Sequence, residues 1–194
     1  MHIHEKTYKK IELLQDRPSA FIAWICPLLK PREYPRNEYI YLENDDVTHI
    51  YFLSQGMCGF VLPKYKNATY IEIQEGQHFG IIDIVHSVLQ SNYEIENWFL
   101  HKDLLQRHFT VMSLGPVESM TLSIQDLQRM KTEFNEAYQS MFKHAFSRLK
   151  RAVKLKVHAL KLCARGKEAS SFDFSIGEGS DFNMNVEEPQ NITK

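Results

Sequence analysis

The sequence predicts an α+β fold in which a set of short strands is flanked by helices on both sides. Three observations predict it. Between Arg32 and Leu122, apolar and polar residues alternate with a period of two, interrupted by turn residues at short intervals. From Asn135 to Cys163 apolar residues recur at helical spacing. Between the two patterns, Ser123-Ile124-Gln125-Asp126 reads as a helix start, a serine cap with an acid in the first turn.

Composition fits one domain with tails: 194 residues, 43% apolar and 24% charged, can bury a sizeable core. The net charge of -1 argues against non-specific nucleic-acid binding by the whole chain. Cys26, Cys58 and Cys163 are odd in number and far apart, which fits no metal spacing and points to a reducing compartment. No apolar run reaches the length of a membrane span, and the N-terminus lacks a signal-peptide core. The expectation is a soluble chain in the cytoplasm, with no transmembrane segment of its own.

Taken in order, residues 1–19 are a polar N-terminal segment with a short helix over Lys6–Gln15. Asp16-Arg17-Pro18-Ser19 starts a helix that carries Phe21, Ile22, Trp24, Ile25, Leu28 and Leu29, and Pro27 and Pro31 limit it. The strands are read as 38–42, 49–53, 57–62, 68–73, 107–113 and 118–122. Their turns are Glu43 to Asp46, Ser54-Gln55-Gly56 and Pro63 to Asn67. Such a series of short strands suggests a sandwich or barrel.

His86 to Gln106 reads as a partly helical insertion carrying Ile95, Trp98, Phe99, Leu100, Leu104 and Leu105. Two helices follow Ser123. The second, from Asn135, carries an apolar stripe of Tyr138, Met141, Phe142, Ala145, Phe146, Leu149, Ala152, Val153 and Leu160, and Gly166 ends it. Residues 148–165 are strongly basic, either a solvated face or a surface for a protein partner or an anionic membrane. The acidic, Ser- and Gly-rich residues 165–194 are expected to be disordered.

Chemistry concentrates between Glu75 and Val111. Phe79-Gly80-Ile81-Ile82 places a glycine at a helix start, where backbone N–H groups can approach an anion. Arg107-His108-Phe109-Thr110 delivers an arginine that can fork onto a phosphate. This pair of motifs resembles the phosphate-binding cassette of the cyclic nucleotide-binding domain family, usually Phe-Gly-Glu followed by Arg-x-Ala-Thr/Ser. The resemblance runs from about Phe21 to Cys163 and includes Pro27-Leu28-Leu29-Lys30-Pro31, Ile50-Tyr51-Phe52 with Gly56, and Leu122-Ser123 with Asp126-Leu127. It is nearest to the C-terminal domains of cyclic-nucleotide-binding-type potassium channels.

The resemblance implies a jelly-roll-type β-roll over about 32–122, within a domain of 20–164. N-terminal helices precede the roll, and a C-terminal pair over 123–164 follows it, the long second helix acting as a lid. It implies a regulatory, non-enzymatic module that takes cAMP or cGMP and couples binding to movement of the C-terminal helices. That module would be part of an ion channel or its cytoplasmic regulator. The residues it assigns to ligand are Phe79, Gly80, Ile81, Ile82, Arg107, His108, Phe109 and Thr110. Asn44 stands where the family usually has glycine, and asparagine tolerates the left-handed turn needed there.

Two positions depart from the pattern. Ile81 replaces the glutamate that normally accepts the ribose 2′-hydroxyl, a loss of about 1.5–3 kcal/mol, or about ten- to a hundredfold in affinity. Ile81→Glu is therefore expected to improve nucleotide binding. Phe109 replaces a small residue beside the phosphate. Asp83, in a helical turn, is expected to point away from the cradle. The alternative reading is a scaffold descendant of the fold that binds no nucleotide and acts in protein assembly. The nine histidines show no ligand spacing, and no activated nucleophile or carboxylate pair stands in a catalytic frame.

Overall fold

The computed structural model describes residues 10–90 and 105–165, so the tail after Arg165 and the insertion residues Ile95 to Leu104 lie outside the described residues. The elements in order are α1 (Ser19–Ile25), β1 (Lys30–Tyr34), β2 (Tyr39–Tyr41), β3 (His49–Gln55), β4 (Cys58–Leu62), β5 (Ala68–Ile73), β6 (His78–Phe79) and α2 (Ile81–Gln90). They continue with β7 (Thr110–Ser113), β8 (Val117–Ser123), α3 (Ile124–Glu133) and α4 (Asn135–Ala164). The strands form two antiparallel four-stranded sheets, ordered β1-β8-β3-β6 and β2-β7-β4-β5. This is the α+β architecture that the alternating pattern and the helical stripe predict, and its two facing sheets are the β-roll that the resemblance implies.

The sheets set the register of what becomes the site. Tyr51 pairs with Phe79 on one side and with Thr121 on the other. In the second sheet Val111 lies between Tyr41 and Phe60. Asn44 has the left-handed backbone expected of its turn, with φ of 74°. Ser123 caps α3 as predicted: its Oγ accepts the Asp126 N–H at 3.1 Å and donates to the Asp126 carboxylate at 2.6 Å.

The helices close the core. Phe134, at the junction of α3 and α4, packs against Phe21 and Trp24 of α1 with both ring centroids at 5.2 Å, so the helices before and after the strands meet on one aromatic cluster. Tyr138, Met141, Phe142, Ala145, Leu149 and Ala152 bury the inner face of α4. Phe146, Val153 and Leu160, read as part of that stripe, are instead exposed. They recur every seven residues, which places them together on a different face from the 3–4 spacing of the buried set.

Four further readings need correction. The segment over Lys6–Gln15 shows, from Lys10 onward, a single 3-10 turn at Glu12–Leu14, tied down by the Glu12 N–H on the Gly76 carbonyl. Strand β1 is absent from the sequence reading, because Pro31 and an exposed set of side chains hide the alternation of an edge strand. Strand β6 is two residues long, too short to show a period. Arg107 does not begin a strand. The segment before Thr110 is held by exchanges with the β2–β3 turn, the Arg107 N–H on the Asp45 carbonyl and the Asn44 N–H on the Arg107 carbonyl.

Candidate anion site

Gly80 joins β6 to α2 with φ of +89°, a conformation that glycine adopts without strain. A Cβ there would sit 2.8 Å from Nη1 of Arg107. The glycine is therefore required twice over, for its backbone angle and for the approach of the arginine. The sequence separates Gly80 from Arg107 by 27 residues, and the fold brings them together.

The guanidinium of Arg107 is 1% exposed and lies within the protein rather than at its surface. Nη1 donates to the Gly80 carbonyl at 2.9 Å and to Oδ2 of Asp83 at 3.2 Å, and Nη2 donates to the His49 carbonyl at 2.6 Å. Its Cζ stands 4.1 Å from the centre of the Tyr41 ring and 5.6 Å from that of Tyr51, a cation–π floor. Tyr51 in turn stacks on Phe79 at 4.9 Å. Nε of Arg107 is buried without a hydrogen-bond partner among the described residues, and the buried Tyr41 hydroxyl is directed at the Asp83 carboxylate.

Asp83 overturns the expectation that it points elsewhere. It sits in the first turn of α2, fully buried, and its other oxygen, Oδ1, accepts the His108 N–H at 2.7 Å. A side chain in the first helical turn leans back towards the helix start, which is where Arg107 arrives. Burial pushes the Asp83 carboxyl up from its ordinary range, while Arg107 and the His108 N–H pull it down. The helix start adds a favourable field for the charged form.

The remaining predicted residues are gathered around this pair, but their side chains face the core. Ile81, Ile82, Phe79 and Phe109 are buried. Phe109 packs on Phe60 at 5.3 Å, under the ammonium of Lys156 at 5.4 Å. The hydroxyl of Thr110 is buried and accepts the Glu43 N–H at 3.0 Å. His108 is half-buried, its ring lies 4.0 Å from that of His86 at a tilt of 44°, and its Nε2 is 2.9 Å from the Ser87 hydroxyl. Asp83 holds the His108 backbone rather than its ring, so this serine–histidine contact has no carboxylate from Asp83 to orient it. Among the described residues no three metal-ligating side chains converge.

Sequence reading missed Asp83, Tyr41, His49 and Lys156. Lys156, from α4, donates to the His108 carbonyl at 2.7 Å and to Glu43 at 2.8 Å, and Arg148 reaches the His78 carbonyl at 3.4 Å. The long helix is thus fastened to both ends of the cassette. The alternation of basic residues along 148–165 was the one signal in the sequence that α4 could do so.

No family model matches the chain. It is 23% identical over 141 residues, 73% of its length, to the cyclic nucleotide-gated channel cone photoreceptor subunit alpha of Gallus gallus, of which it spans 18%. Its fold matches the crystal structure of a protein of Geobacter metallireducens GS-15 described as cyclic nucleotide-binding. That match has a TM-score of 0.55 and 12% identity, covering 76% of this chain and 95% of the other. The fold is that of a cyclic nucleotide-binding domain. Among its described residues no helix is long and apolar enough to cross a membrane.

Around the cassette of this cyclic nucleotide-binding domain fold burial lowers the pKa of four histidines, His49, His78, His86 and His108, and two of them far. Burial, then repulsion from Arg148 and His144, lowers His78 to about 3. Burial, then His86 and Lys156, lowers His108 to about 4, with Glu43 opposing. In the unfolded chain both titrate near ~6.5. Below that value the unfolded state binds more protons, so stability falls as pH drops from about 6.5 towards 4. Urea unfolding at pH 7, 5.5 and 4.5 should show this decline, and His78→Gln with His108→Gln should remove the larger part of it. A wild-type stability that holds level across that range contradicts the assignment.

Proposed function

We propose that this chain is a non-catalytic regulatory module that takes a cyclic nucleotide weakly at the Gly80–Arg107 cradle. It would work in the cytoplasm, within an ion channel or a regulator of one. The observation that carries the reading is Arg107 itself, a cation brought against the glycine at the start of α2. Two features support the coupling half of the proposal. Lys156 and Arg148 fasten α4 to the cassette, so a ligand that disturbs His108 or His78 acts on the helix directly. The ligand shifts α4 only by its differential affinity for the fastened and released forms.

A second reading, a scaffold that binds no nucleotide, is favoured by a different observation. Phe146, Val153, Val157 and Leu160 are exposed along a helix that carries seven basic residues and one acid over Asn135–Ala164. An apolar stripe in a basic frame suits an acidic protein partner.

Calorimetric titration of the chain with cAMP and with cGMP, alongside thermal melts, separates the two. The sensor reading expects a melting temperature that rises once nucleotide exceeds its dissociation constant. Unchanged melts and no heat at millimolar nucleotide decide for the scaffold.

A further inference from the structure

Resting on the reading of Gly80–Arg107 as an anion cradle, we propose that the Asp83 carboxylate is a built-in occupant of that cradle. It does for this chain what a bound phosphate would otherwise do. A cyclic phosphodiester brings one negative charge and two free oxygens to its site. Asp83 brings the same: Oδ2 lies 3.2 Å from Nη1 of Arg107, and Oδ1 accepts the His108 N–H at 2.7 Å. The pair is sealed, with Arg107 1% exposed and Asp83 0% exposed. The Tyr41 hydroxyl already faces the Asp83 carboxylate and helps hold it charged. The cradle nevertheless keeps one donor that the internal carboxylate has not used: Nε of Arg107 is buried and unpartnered among the described residues. An anion with more oxygens than a carboxylate is the chemistry that fits it.

His108 transmits the effect. Its N–H is held by Asp83 and its carbonyl by Lys156 of α4, so one peptide residue joins the carboxylate to the lid. Glu43 receives the same ammonium at 2.8 Å. With Asp83 in place, α4 is fastened and the module is in its closed form with no external ligand. An incoming phosphate must displace a tethered carboxylate, whose effective concentration at the site exceeds that of any dilute ligand. Asp83 thus sets both the low affinity and the resting state.

The test uses the whole chain in chloride buffer, with melts and calorimetry against inorganic phosphate, cAMP and cGMP, and with amide exchange read along residues 143–160. Asp83→Ala should melt lower than wild type and exchange faster in α4. Saturating anion should raise its melting temperature by about 5–10 °C at a hundredfold excess over the dissociation constant and restore the protection. Wild type under the same anion should move by less than about 2 °C. If Asp83→Ala does not fold, Asp83→Asn keeps an acceptor for the His108 N–H, leaves the guanidinium unneutralised, and should show the same anion response.

A folded variant that gains nothing from any anion overturns the proposal, as does a wild type that responds as strongly as Asp83→Ala. A variant that answers inorganic phosphate and ignores both nucleotides upholds the internal carboxylate and removes the nucleotide reading. Wild type that binds nucleotide as tightly as the variant does the reverse.

Discussion

Arg107→Met is expected to destabilise the folded chain by about 3–5 kcal/mol, because it strands the Asp83 carboxylate in the interior. Methionine fills much of the volume beside the Tyr41 ring, so lost packing is a small part of the effect. Against a total stability on the order of 5–15 kcal/mol, the loss is large. For a chain of this size it corresponds to a melting temperature lower by roughly 6–20 °C.

The loss also has a sign in pH. Burial already pushes Asp83 up, and the substitution removes the largest influence pulling it down. In the variant the folded state therefore holds a proton at pH values where the unfolded carboxyl, near ~3.9, has released it. Stability then falls as pH rises through the new folded value, opposite to the histidine effect. Urea unfolding at pH 5 and pH 8 should show the larger deficit at pH 8. Replacing both partners, as Arg107→Met with Asp83→Asn, should recover most of it, since a neutral pair leaves no buried charge. A deficit below about 1 kcal/mol, equal at both pH values, would mean that the ion pair is not buried in solution.

The contrast between Arg107 and Asp83 marks what could be read from the sequence. The strands around Ile50-Tyr51-Phe52 and Tyr70-Ile71-Glu72-Ile73 fall where the sequence places them, because a short apolar and β-branched run between turn residues is a local signal, even though the first is buried on both faces. Ser123 and Asn44 are also local decisions, a cap and a turn. The edge strand over Lys30–Tyr34 carries no such signal, since nearly all its side chains are exposed.

The site divides the same way. The glycine and the arginine are recognisable as motif ends. Which way the arginine points depends on a carboxylate 24 residues earlier and a carbonyl 58 residues earlier, on separate elements. Spacing does not encode that choice. Helical geometry alone turns Asp83 away from the cradle, whereas a first-turn acid near an arriving arginine has every electrostatic reason to turn back.

Ile81→Glu is where the structure reverses the expectation drawn from the sequence. Ile81 is 1% exposed and packs in the core, so the substitution loses the burial of an isoleucine, about 1.5–3 kcal/mol. It also places a carboxylate in the interior, where an unpaired charge costs several kcal/mol more or takes up a proton instead. Among the described residues the one buried guanidinium, that of Arg107, already serves Asp83. The expected outcome is a loss of at least about 3–5 kcal/mol, larger at high pH, with no gain in cAMP or cGMP binding. Combined with Asp83→Ala, the same substitution should cost much less than the sum of the two singles. One carboxylate then replaces another beside Arg107, and the two positions couple through that shared partner. A double-mutant cycle by urea unfolding at pH 7, with nucleotide titration of all four proteins, measures both effects. If Ile81→Glu alone keeps wild-type stability and binds nucleotide more tightly, the interior placement of Ile81 does not describe the chain in solution. The carboxylate would then be reaching ligand in an open site, and the ten- to hundredfold gain inferred from the motif would stand.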